Sequence, residues 1–314
     1  MFRCDPLHLR QLADAAETVV REVLDRGGPR TPRPCGEVGA VRTLTLDGFD
    51  AIASAWEPLL RPTFHRLELT AIFTHSRPHV SFTPVSYTKG TGRCELADLL
   101  IVVDHQNYVG MIDDRRAVLV QAKRNKNRKI RLVGSDWTQH ELLTYLRPFT
   151  FVDPGYDVRT RHLSGTPMIG DPDVTAEYGG VEIDLLPRRW SHWLPGPPNS
   201  LQAEIGIGLY LASMAAGARQ CGREAVEGGG DDWSFTVDEL LRVTGALPIV
   251  KSDPAVLRQN SNVIGLIYDA AAYLSVPRGL SARGGPEKPY EEEYWPEGPI
   301  NVVQLTLRQD ERMG

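Results

Sequence analysis

Asp98, Gln121 and Lys123 are the residues of this chain best placed to do chemistry together. Asp98 interrupts an apolar run from Leu96 to Val103, and Gln121 and Lys123 close a second run that begins at Ala117. Both runs are short and rich in Val, Leu and Ile. The segment between them, QNYVGMIDD, carries Asn, Gly and an Asp pair. That is the pattern of two adjacent strands joined by a hairpin-like loop. Residues two apart on a strand share a face, so Gln121 and Lys123 project together. An acid, an amide oxygen and an ammonium then converge at one end of a sheet. Hard oxygen donors suit Mg²⁺ or Mn²⁺, and a lysine beside them can orient an attacking water.

Asp98 with Gln121-Ala122-Lys123 resembles the PD-(D/E)xK nuclease superfamily, in the form where Gln replaces the last acid, as in Mrr-like restriction enzymes. Ala97 stands where that pattern has Pro. The resemblance covers residues 47–165. It implies an α/β protein with a restriction-endonuclease-like αβββαβ core, a Mg²⁺ (or Mn²⁺) cofactor, and metal-dependent DNA endonuclease activity in restriction or antiviral defence. It makes Asp98 the central metal ligand and gives Gln121 a second oxygen. Lys123 would orient or help deprotonate the water and stabilise the scissile phosphate. A third carboxylate is expected on the helix before the first strand. Glu68 is preferred to Glu57, and Glu95, an odd number of residues from Asp98 and so on the opposite face, ranks behind both. A reading from another class is a catalytically inactive module of the same fold that binds nucleic acid or a partner protein.

Net charge is -5, but its distribution is uneven. Arg115 to Arg131 holds eight Lys or Arg and no acid, leaving 27 basic against 40 acidic residues elsewhere. The basic run continues past Lys123, where a phosphate backbone would lie. Arg124, Lys126, Arg128 and Lys129 are therefore candidate phosphate contacts, joined by Gln139 on the following helix. DNA is the expected partner, with RNA left open, alongside a partner protein of a multi-gene defence system or a second copy of the chain.

The elements that must position these groups follow from periodicity. Apolar spacing predicts helices over 6–26 and 49–60, a short strand over 41–46 and a helical segment over 64–75. Strands are predicted over 79–88, 94–104 and 116–124, then a helix over 136–147 with Asp136 as N-cap and Gln139 as its capping-box partner. A strand in VRTRHLS, after Asp157, would complete the core. Residues 1–46 read as an N-terminal helix and linker, and 166–314 as a mostly helical region. That region comprises a buried small-residue-rich helix over 200–221, helices over 235–243 and 255–274, a loop over 279–299 and a closing strand in NVVQLTLRQ. Four scattered cysteines argue against a zinc ribbon and against a disulfide framework. No apolar run is long enough for a bilayer, and the N-terminus lacks a signal-peptide core. The expected location is cytoplasmic, with no membrane partner.

Overall fold

The computed structural model describes residues 5–63, 65–74, 77–85, 92–126, 129–163, 175–193, 203–218, 220–246, 263–268 and 300–310. The chain opens with helices α1 (Pro6–Arg26) and α2 (Glu37–Thr43), a π turn at Leu44–Gly48, and α3 (Phe49–Leu60). Strands β1 (His65–Ile72), β2 (His79–Phe82), β3 (Gly92–Glu95), β4 (Leu99–Gln106) and β5 (Ile112–Arg124) follow. Next come α4 (Asp136–Tyr145), β6 (Phe149–Phe151), β7 (Ala176–Glu182), β8 (Arg189–Trp193) and β9 (Ala203–Gly206). The order closes with α5 (Ile207–Ala215), β10 (Arg223–Glu224), α6 (Asp232–Ala246), β11 (Val263–Tyr268) and β12 (Asn301–Gln309).

The architecture is mixed α/β. The main sheet runs β11-β1-β12-β4-β5-β7-β8-β9, with β10 also against β5, and a small sheet runs β3-β2-β6. β4 and β5 are antiparallel, and β12 and β7 flank them in parallel. Leu99, Ile101 and Val103 of β4 pack into a core shared with α1, α3 and α5. Leu100 and Val102 pack into a second core with α4, α6 and the small sheet. Coverage of both faces explains why β4 and β5 read as continuous apolar runs rather than alternating ones. On the helical side α5 lies tightly on α1: a Cβ at Gly208 would fall 2.2 Å from the Ala13 carbonyl oxygen. Only glycine lets the two backbones approach so closely.

Several expectations need correction. Residues 65–72 are strand, not helix, because Leu67, Leu69 and Ala71 alternate onto one buried face. Residues 41–46 are helix and π turn, with Val38, Val41 and Leu44 spaced for one helical face. The 79–88 strand exists only as β2 and lies in the small sheet; residues 86–91 are outside the described ones. The expected 94–104 strand is broken at Leu96–Asp98, where the chain leaves one sheet for the other. β4's second neighbour is therefore β12, not the preceding strand: β12 stands between β1 and β4, although α3, β1, β4, β5, α4 and β7 come in that order along the chain. The strand after α4 that lies parallel to β5 is β7; among the described residues of VRTRHLS, only Arg161 makes an isolated bridge. Among the described residues after 165, six strands accompany α5 and α6, so "mostly helical" does not hold for them. The 255–274 helix falls mainly outside the described residues, and 263–268 within it are strand. The loop expected over 279–299 lies outside them altogether.

Candidate functional site

The hairpin register fixes the site. Leu99 pairs with Val120, so Asp98, one step before β4, comes opposite Gln121. The Asp98 N–H donates to the Val120 carbonyl (3.1 Å), holding this extension in line. Its carbonyl accepts from the Asn301 side chain (2.5 Å), which ties it to β12. The Asp98 carboxylate accepts from the Ala122 N–H (2.7 Å) and the Gln121 side-chain amide (2.5 Å), both on Oδ2.

Lys123 lies two residues on, and both it and Gln121 reach α4, as period-two alternation requires. The Lys123 Nζ is 3.0 Å from Asp136 Oδ1 and 3.6 Å from Glu37 Oε1. Gln139 of α4 donates to the Gln121 amide oxygen and to the Glu95 carbonyl (3.0 Å). Glu37, in the first turn of α2, also accepts from the Arg124 N–H (2.8 Å). Glu37, Asp98 and Asn301 line a small cleft with Val38, Val41 and Phe73.

Four carboxyl groups, Glu37, Glu95, Asp98 and Asp136, surround one lysine. Burial raises the Asp98 carboxyl to about 7, against the pull of Lys123. Burial and then the neighbouring Asp98 charge raise Glu95 to about 9. Burial also raises Glu37, in part offset by Lys123. For Lys123 burial acts downward, but Glu37, Asp98 and Asp136 outweigh it and its pKa is raised. Lys123 is therefore a fixed cation at neutral pH, suited to holding a phosphate or a water rather than to removing a proton.

The site differs from the sequence expectation at named positions. Glu68 is not part of it. Glu68 pairs with Thr306, which pairs with Asp104, six residues beyond Asp98. That puts Glu68 about 20 Å away at ~3.3 Å per residue, where its carboxylate faces Arg308. Glu57 of α3 is bound to Arg61, the residue just past the helix. The third carboxylate at the site is Glu37, which the sequence places within the N-terminal linker. Gly36 followed by Glu37, with Val38, Val41 and Leu44 at helical spacing, was the available signal. Glu95 stands closer than its rank implied, since the break after β3 cancels the odd-offset argument.

Gln121 uses its oxygen on Gln139 and its N–H on Asp98, so as arranged it positions Asp98 rather than offering a ligand. Gln139 is buried in that network, with its side-chain amide spent on Gln121 and the Glu95 carbonyl. Nor is it a capping partner: Ser135 occupies the N-cap, and Asp136 is the first helical residue. Tyr145, near the end of α4, is exposed beneath Arg147.

The basic run divides in two. Arg115 is buried against Asp104 (2.7 and 3.0 Å) and Asp238 (2.8 Å), and Arg116 bonds the Gly222 carbonyl (3.3 Å). Both are structural. Beyond Lys123, a tight turn closed by reciprocal Lys126–Lys129 backbone bonds leaves Lys126, Lys129 and Arg131 exposed. Arg124, also exposed, pairs with Asp184. Arg128 lies outside the described residues.

The donor chemistry suits a hard divalent cation: carboxylates in excess over one lysine, three of them with raised pKa values that a cation would lower. Among the described residues, no three acidic, His or Cys side chains stand close enough to grip an ion in this arrangement. Also among them, no helix is long and apolar enough to cross a membrane. Compared with protein-family models, with curated proteins and with solved structures, the chain matches none.

Proposed function

We propose that this chain is a metal-dependent phosphodiesterase, a DNA endonuclease in its expected setting of restriction or antiviral defence. One observation carries the reading: Asp98 opposes Gln121 across a hairpin whose next same-face residue is Lys123, beside Glu37 and an exposed basic turn. Asp98 would hold Mg²⁺ or Mn²⁺, with Glu37 and Glu95 as the carboxylates that would have to close in to complete its shell; when bound the ion supplies Lewis acidity and a more acidic water. Lys123 keeps its proton and stabilises charge on the phosphate. Gln121 and Gln139 hold the Asp98 carboxylate in register. Arg124, Lys126 and Lys129 contact the backbone of the substrate.

Supercoiled plasmid and single-stranded DNA, incubated with Mg²⁺, Mn²⁺ or EDTA, test this for wild type beside Lys123→Ala. Metal-dependent cutting that Lys123→Ala loses is the expected result. Cutting that persists in Lys123→Ala, or in EDTA, would sink the assignment.

A second reading has its own support. The Asp98–Gln121–Gln139 hydrogen bonds satisfy one another without any ligand, as suits a scaffold that binds DNA or a partner protein without cutting. Salt-sensitive DNA binding with no cleavage under any metal would favour it.

A further inference from the structure

Between β7 and β8 the chain turns over six residues, and the tip carries two exposed leucines, Leu185 (54 % exposed) and Leu186 (67 %). An apolar pair on an exposed turn is costly in water, and here it is held in place rather than folded away. Arg188, at the base of the turn, is buried. Its N–H donates to Asp25 (2.7 Å) and its guanidinium to the carbonyls of Pro34 (2.6 Å) and Leu24 (3.1 Å). On the other side Asp184 is bound by Arg124. The tip is thus clamped from both ends, to α1 and to the end of β5.

Exposed cations outnumber acids around it, Asp184 beside the tip and the half-buried Glu182 being on the other side of the balance. Arg33, Arg124, Lys126 and Arg189 are exposed around it, with Lys126 acting on Asp184 and Arg33 on Arg188. The tip also stands next to the site. β7 runs parallel to β5 with Arg124 paired to Val181, and Leu185 lies four residues further on. That is at most about 13 Å of chain, or about four base steps at ~3.4 Å per step.

We propose that Leu185 and Leu186 form a wedge that enters between stacked base pairs of a duplex whose backbone lies along Arg124 and Lys126. The inference rests on the nucleic-acid reading of the Lys123 site and adds how the duplex is deformed there. Apolar side chains between cationic neighbours suit this role, because the cations neutralise phosphates on either side while the wedge replaces lost base stacking. Two side chains on a narrow, clamped turn match one base step and offer little area to a bilayer.

The test is equilibrium binding of the full chain, in EDTA, to duplexes carrying 2-aminopurine at successive single positions. Wild type, Leu185→Ser/Leu186→Ser and Leu185→Met/Leu186→Met are compared. Wild type is expected to raise the fluorescence at one step within about four steps of the phosphate that is cut when Mg²⁺ is added. The Ser pair is expected to lose that signal and to bind about tenfold or more weakly, with the salt dependence unchanged, and the Met pair to keep both. Unstacking and affinity equal to wild type in the Ser pair would overturn the wedge and leave the nuclease reading standing. Unstacking by a wild type that never cuts would support the wedge and count against the nuclease. Leucine-dependent capture by phosphatidylserine-containing vesicles, with DNA binding indifferent to the Ser pair, would assign the tip to a membrane surface instead. Absence of salt-sensitive DNA binding in wild type would remove both proposals.

Discussion

The Lys123 ammonium sits 3.0 Å from the Asp136 carboxylate, joining the end of β5 to the first turn of α4. Among the described residues the next acidic partner of Lys123, Glu37, is 3.6 Å away. Asp136 also accepts from the Val133 N–H (2.9 Å), so its own position is fixed. Asp136→Ala should leave Lys123 charged but free to swing. We expect single-turnover cleavage to fall on the order of 10²-fold, with metal affinity kept. Unchanged cleavage would show that Asp136 only begins a helix.

Glu37 and Glu68 make a paired test of where the third carboxylate lies. Glu37→Gln should weaken Mg²⁺ binding about tenfold or more, because ligand charge tunes such affinities. Glu68→Gln should leave it alone. Gln121→Glu acts in the other direction, placing a second carboxylate against Asp98: metal affinity rises, and the metal-free protein becomes less stable. Calorimetric titration of the three variants reads all of this, and a loss on Glu68→Gln would contradict the strand register.

Asp98 and Glu95 give stability a pH dependence opposite to that of paired surface acids. Their ordinary values are 3.8 and 4.5, and in the folded chain they stand at about 7 and about 9. Below the ordinary values both states carry the protons and the contribution is fully present. Above them the unfolded chain ionises while the buried carboxyls keep their protons, so that stability is lost progressively and is gone once pH has risen through about 7 and about 9. The melting temperature in EDTA should therefore fall between pH 5 and pH 9. Glu95→Gln should flatten the upper part of that fall, and millimolar Mg²⁺ should reduce it. A melting temperature that climbs across this range would refute the assignment.

The basic run separates by experiment as it does in space. Arg115→Ala leaves Asp104 buried without its cation, with the Gln304 amide as its remaining donor among the described residues, and should cost about 3–5 kcal/mol. Lys126→Ala and Lys129→Ala should change stability by less than about 0.5 kcal/mol. Each should lower the slope of log affinity against log salt by about 1. Denaturant melts and DNA titrations at several salt concentrations distinguish the two groups.

The hairpin was legible because both of its strands are buried on two faces, which leaves an unbroken apolar run bounded by turn residues. Asp98, Gln121 and Lys123 came with it, since period-two alternation within a hairpin leaves little freedom. The partners from outside the hairpin were not legible. Glu37 is brought in by α2 across 87 residues of chain to Arg124, and Asn301 by a strand far downstream; helical spacing marks α2 itself, but no local pattern says that either residue reaches Asp98 and Lys123. The error at residues 65–72 has a local cause. FHRLELTAIF satisfies helical spacing and alternation alike, and the open position beside β12 in the main sheet decides between them.

Asn301 and Asp98 bond across 203 residues. Such a separation makes loop closure slow and places the step late in folding. While a ribosome is still short of residue 301, β4 lacks a neighbour on that side and the backbone at Asp98 lacks its anchor. A nascent chain therefore carries every residue of the Lys123 cluster well before it can hold them in place. If the site cuts nucleic acid, its activity begins with the arrival of β12 and is withheld from prematurely terminated chains.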